Sequence, residues 1–163
     1  MQNSLTDFTD YIRKLCHNHV DIQDNPIDRH FIELRSEAQL TAKSLRLPVV
    51  AFDKLQITYK GQNDNLRKDR YIEILFLDKC ADGSNTAKIL EIQTRMESIC
   101  EDFINKMRED KKSRKIEFLQ NLIIGDIQVF QIENKNASLY GAMMSFSFDL
   151  PYSGMLRPNK FSE

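Results

Sequence analysis

The feature that most constrains this chain is a run from Leu139 to Leu150 in which apolar residues alternate with small or polar ones almost without fault. Tyr140, Ala142, Met144, Phe146, Phe148 and Leu150 fall on one side, and Gly141, Met143, Ser145, Ser147 and Asp149 on the other. Side chains of a strand point to opposite faces in turn, so the run predicts a strand with one buried face. Such a strand needs neighbours along its edges and a layer to cover it.

The covering layer is legible upstream. Ile89, Ile92, Met96, Ile99, Cys100, Phe103, Ile104 and Met107 recur at steps of three and four and mark a single apolar stripe on a long helix, Thr86 to Glu109. A shorter stripe of Leu5, Phe8, Tyr11, Ile12, Leu15, Cys16 and Val20 predicts an amphipathic first helix over Leu5 to Val20, with Ser4 as its N-cap and Asp7 three residues on. One stripe per helix means that each helix lies on a sheet rather than inside a shell of other elements.

The remaining strands follow from local texture. After a break at Pro26, RHFIELRS is a short strand candidate, whereas SEAQLTAKSLRLP fits strand and helix equally and is left unassigned. Val49 to Tyr59 is rich in β-branched and aromatic residues, with Leu55, Ile57 and Tyr59 alternating against Lys54, Gln56 and Thr58. Gly61 to Asn65 supplies turn residues, and Asp69 to Asp78 returns as a second strand. Its segment Ile74 to Leu77 is apolar on both faces, which predicts a central strand covered on both sides. Ile127 to Glu133, a turn at Asn134 to Asn136 and the Leu139 run form a last hairpin, ended by Pro151 and Gly154.

Without internal repeats or a linker-like stretch, the expectation is one α+β domain over residues 1–152, followed by an exposed extension over 153–163. Its fold should be a mostly antiparallel sheet with one long and one shorter helix packed on a face. With 41% hydrophobic and 29% charged residues the chain is not a disordered polymer, and 23 basic against 24 acidic residues do not suit a dedicated nucleic-acid binder. The acidic, interrupted N-terminal stretch MQNSLTDFTDYIRK does not read as a secretory signal, and no run approaches the roughly 18 apolar residues of a membrane span, so the protein is expected to be made in the cytoplasm and to avoid membranes.

Chemistry-bearing residues are sparse. Cys16, Cys80 and Cys100 are an odd number without CxxC spacing, and two of them sit on apolar stripes, which suits reduced thiols used as small hydrophobes. Cys16, His17 and His19 are the densest group of soft and imidazole ligands, but helical neighbours one or two positions apart point in different directions and cannot converge on one ion. His30 lies apart from them. No nucleophile elbow and no phosphate-cradling glycine loop occurs, so no catalytic residue, metal ligand or cofactor is assigned. Paired carboxylates such as Asp21 with Asp24, or Glu101 with Asp102, read as solvated or capping charges. The basic run KMREDKKSRK also contains Glu109 and Asp110, which suits a solvated helix end better than a phosphate-binding patch.

Two segments invite partners. The polar tip KGQNDNLRKDR either touches nothing or is an arm that packs on a neighbouring subunit, through Asn63, Asp64, Asn65, Leu66, Arg67, Lys68 and Arg70. The tail carries Met155, Leu156, Arg157 and Phe161, and its apolar members favour docking on a partner.

The segments VVAFDKLQITY, RYIEILFL, TAKILEIQTRMESICEDFINKM and FQIENKNASLYGAMMSFSFDLPYS, in that order behind an amphipathic helix, resemble the tail terminator and head-to-tail connector proteins of tailed bacteriophages. IEFLQNLIIG, from Ile116 to Gly125, has no counterpart in that pattern. The resemblance implies a non-catalytic virion subunit of the neck or tail that forms a homo-oligomeric ring with copies of itself and meets other connector or tail proteins. DNA would pass through such a ring without being read, facing scattered charges such as Lys111, Lys112 and Arg114. Two rival expectations are a small intracellular protein-binding adaptor and a small enzyme built on Cys16 or a histidine.

Overall fold

The computed structural model describes residues 5–41, 45–61 and 67–151. Its order is α1 (Leu5–Asn18), β1 (Phe31–Glu33), β2 (Val49–Lys60), β3 (Arg67–Lys79), α2 (Thr86–Ser113), β4 (Gln128–Asn134) and β5 (Leu139–Pro151). The strands form one sheet in the order β1-β2-β3-β5-β4; β1 runs parallel to β2, and every other pairing is antiparallel. The chain is therefore α+β, with a long and a shorter helix on one face of a mostly antiparallel sheet.

The alternation in β5 sets that face. Tyr140, Ala142, Met144, Phe146 and Phe148 are buried, and the β3 partners of the last four, Phe76, Ile74, Ile72 and Arg70, point the same way. Onto this surface α2 lays Ile92, Met96, Ile99, Cys100, Phe103 and Met107, all buried, while Ile89 and Ile104 pack at the margin. Phe103 meets Phe76 edge-on at a ring separation of 5.0 Å, an arrangement aromatic quadrupoles favour. Phe8 of α1 sits among Phe52, Phe118, Phe146 and Phe148, with ring separations of 5.4 to 6.0 Å.

α2 starts at Asn85, whose side chain accepts a hydrogen bond from the Lys88 N–H at 3.0 Å, and it ends four residues later than its apolar stripe predicts. α1 ends at Asn18, earlier than expected, and Val20 stands exposed in the following turn. Ser4 lies outside the described residues.

Among the described residues, the opposite face of the sheet is covered only in part. Leu75 and Leu77 of β3, Val49 and Ala51 of β2 and Leu139 of β5 bury there against Leu40 from a 3-10 turn over Glu37–Thr41. This is the two-sided burial predicted for Ile74 to Leu77, and part of the unassigned segment supplies the second cover. The segment from Ile116 to Gly125 is likewise structural. Its 3-10 turn Phe118–Asn121 brings Phe118, Leu119 and Leu122 into the main core, and Leu122 bridges to Phe148.

Gly141 is required where β5 crosses β3. A Cβ there would stand 1.9 Å from the Phe76 carbonyl oxygen, closer than any atom can approach.

Candidate functional site

The β2–β3 hairpin is longer than its neighbours, and its far half defines the first site. β1 pairs with Val50, Ala51 and Phe52 only, so among the described residues the stretch from Lys54 to Lys60 pairs with β3 alone. A bulge between Phe52 and Lys54 shifts the alternation by one, which keeps Ile57 and Tyr59 on the face of Val50 and Phe52. That face is covered at the near end and open at the far end, where Ile57 is 41% and Tyr59 54% exposed. Lys68, cross-strand from Tyr59, holds its ammonium 5.8 Å from the ring centre, and Lys60 pairs with Asp69 at 2.6 Å.

Arg67 and Lys68, expected in the polar tip ahead of a strand starting at Asp69, are strand residues of β3, as is Arg70. The loop is shorter than its polarity suggested because cross-strand pairing continues to Lys60 and Arg67. Asn63, Asp64, Asn65 and Leu66 lie outside the described residues, as do Met155, Leu156, Arg157 and Phe161. The register nevertheless fixes where both segments attach: Arg67 pairs with Pro151, so the hairpin tip and the C-terminal segment leave the sheet from adjacent strands at one end. Neighbouring strands lie about 4.8 Å apart.

The basic end of α2 is divided between structural and free charges. The Lys111 ammonium donates to the carbonyls of Gln120 and Leu122, tying the helix end to the 3-10 turn, while Gln120 Nε2 donates back to the Lys111 carbonyl at 3.0 Å. Lys106 pairs with Asp110, whose other oxygen accepts the Tyr11 hydroxyl at 3.0 Å. Lys112 and Arg114 are exposed, and Arg114 caps the helix in the left-handed conformation.

The Cys16-His17-His19 group does not converge. Cys16 is fully buried; His17 Nδ1 donates to the Asp24 carbonyl at 2.6 Å; His19 Nε2 meets Asp102 at 3.3 Å. Burial, reinforced by the Asp24 charge, holds the Cys16 thiol well above its ordinary value and therefore protonated, the opposite of what a nucleophilic cysteine requires. Burial with Glu97 nearby does the same to Cys100.

Asp24 is a correction to the sequence reading. It is buried rather than solvated, and its Oδ1 accepts the backbone N–H groups of His30 at 2.6 Å and Phe31 at 2.9 Å. The carboxylate thus starts β1, while His30 Nδ1 donates to the Pro48 carbonyl at 2.7 Å and joins that start to the approach of β2. Sequence spacing gave no hint of this, because an Asp-x-x-x-x-x-His-Phe interval is not a capping pattern.

No helix among the described residues is long and apolar enough to cross a membrane. No protein-family model, curated protein or solved structure matches the chain.

Proposed function

We propose that this protein is a structural subunit that assembles with copies of itself into a ring, of the kind found at the neck or tail of a tailed phage. What supports the reading is the far end of the sheet. There the open edge of β2, the exposed Ile57 and Tyr59, and the stems of the hairpin tip and the C-terminal segment all lie together. An unpaired strand edge offers a row of free N–H and C=O groups, and apolar side chains beside it gain from being covered.

The sheet has a second open edge on its other side. β4 pairs with β5 alone among the described residues, and its Phe130 is 45% exposed. Two unlike edges on opposite sides permit a head-to-tail contact, and repeated head-to-tail contacts close into rings when the rotation allows. Asn63 to Leu66 with Arg67, Lys68 and Arg70, and Met155 to Phe161, would then bind the next subunit or an adjoining ring. In a virion, DNA passing through the ring would meet exposed charges such as Lys112 and Arg114; Lys111 is committed to its carbonyl partners.

The test is light scattering on a size-exclusion column followed by negative-stain imaging, for the wild type and for Ile57→Lys with Tyr59→Lys. Closed rings that the double variant fails to form are the expected result. A wild type that stays monomeric at concentrations of hundreds of micromolar contradicts the reading, as do rings that survive the substitutions.

A further inference from the structure

Away from the arm, the C-terminal half of α1 and the loop before β1 enclose an open cleft of about 660 Å³, lined by Lys14, His17, Asp24, Asn25, Pro26 and Arg29, with Asp10, Arg13 and Phe31 completing it. Its charges are unevenly satisfied. Arg13 is held by Asp10 at 2.9 Å and Glu33 at 3.4 Å and lies 5.3 Å over the Phe31 ring. Asp24 is engaged by two backbone N–H groups. Lys14 and Arg29, by contrast, have no hydrogen-bonding or ion-pairing partner among the described residues.

His17 adds a third polar group. Its Nδ1 must carry the proton it donates to the Asp24 carbonyl, so Nε2 is the ring atom left to meet a ligand. The rim is held in place without a ligand: Asn25 Oδ1 accepts the N–H groups of Ile27 and Asp28 at 3.0 and 2.9 Å, and Asn25 N–H donates to the Asp28 carbonyl at 3.1 Å. Next to Pro26 on that rim, Ile27 is 87% exposed.

We infer that this cleft binds a carboxylate on an acidic segment of a protein partner, with Arg29 and Lys14 as its cationic partners. Charge decides the ligand class. With Arg13 held in its own ion pairs to Asp10 and Glu33, the cations Lys14 and Arg29 against Asp24 leave one net positive charge, which matches a single carboxylate better than a phosphate dianion. The guanidinium fork of Arg29 suits bidentate carboxylate recognition. An open cleft with an isoleucine on its rim accommodates a length of chain that sets an apolar side chain beside the acid. The inference is independent of ring assembly, because the cleft lies at the β1 end and not at the arm.

The experiment is fluorescence anisotropy of the full chain with a fluorescein-labelled peptide of alternating leucine and glutamate, its glutamine analogue, and inorganic phosphate as competitor. Lys14→Gln with Arg29→Gln should weaken peptide binding at least tenfold with the thermal melt unchanged. The control pair Arg108→Gln with Lys115→Gln, which removes the same charge at exposed positions elsewhere, should leave binding within twofold. The inference is overturned if both pairs weaken binding equally, if the glutamine analogue binds as well as the acidic peptide, or if millimolar phosphate displaces the peptide fully. Should the Lys14/Arg29 pair lower the melt, the single variant Lys14→Gln, at an exposed position, must still weaken binding several-fold.

Discussion

The near and far halves of the same strands behave differently. At the near end, β2, β3 and β5 are buried on both faces: Val50, Ile74 and Phe76 under the helices, and Val49, Leu75 and Leu77 under the Glu37–Thr41 turn. At the far end the strands keep their pairing and alternation, but β2 loses β1 as a neighbour and Ile57 and Tyr59 lose their cover. Backbone hydrogen bonding carries the hairpin outward; side-chain burial stops short of its end. The difference teaches that the length of β2 is not set by what the core needs, since its far half adds pairing with little burial of its own while β3 and β5 beside it still bury Ile72, Phe146 and Phe148.

That contrast can be sharpened by mutation. Truncating Phe103, buried against Phe76, should cost about 4 kcal/mol in urea unfolding. Ile74→Ala in the near half should cost about 3 kcal/mol. A loss below about 1 kcal/mol at either site would mean that the near half is not the stabilising one. Asp24→Ala comes next, because it leaves one buried and one part-buried N–H donor without their acceptor, at about 2 to 3 kcal/mol by the same measurement. Asp24→Asn keeps an acceptor oxygen and should recover most of that loss.

Alkaline pH should act on the near half as well. Cys16 and Cys100 have folded values above the 9.0 of the unfolded chain, so their contribution is complete below about pH 9 and is lost as pH rises beyond it. Each thiol should add a slope of about 1.4 kcal/mol per pH unit to the fall in stability above that point. Cys100→Ala should flatten the curve between pH 9 and 11, as read by thermal melts; an unchanged slope would mean that this thiol is accessible to base. The smallest effect is expected in the far half, where Ile57→Ala should change stability by about 0.5 kcal/mol or less in the isolated subunit.

How much of this the sequence disclosed depended on the length of each periodic run. α2 and β5 were legible because each repeats its own period many times over, and Ile74 to Leu77 announced its two-sided burial by being apolar at every position. β1 has three residues, too few for a period to show, and its parallel pairing to β2 depends on Asp24 and His30, which are distant from β2 in the chain. The 3-10 turns at Glu37–Thr41 and Phe118–Asn121 place apolar residues by tertiary contact rather than by regular spacing. At the candidate site, the arm and tail residues could be chosen by composition, but their attachment at one end follows from the Arg67 to Pro151 register. The cleft was invisible for the same reason, since Lys14 and Arg29 are brought together only by the turn after α1.

The far half of β2 is proposed as the interface between subunits. Amide hydrogen exchange on the full chain, compared between dilute and concentrated solution, tests it most directly. Residues 54–60 are expected to gain protection on concentration, while residues 50–52, already paired on both sides, do not change. Protection gained elsewhere with none at 54–60, or assembly without any change there, would contradict it.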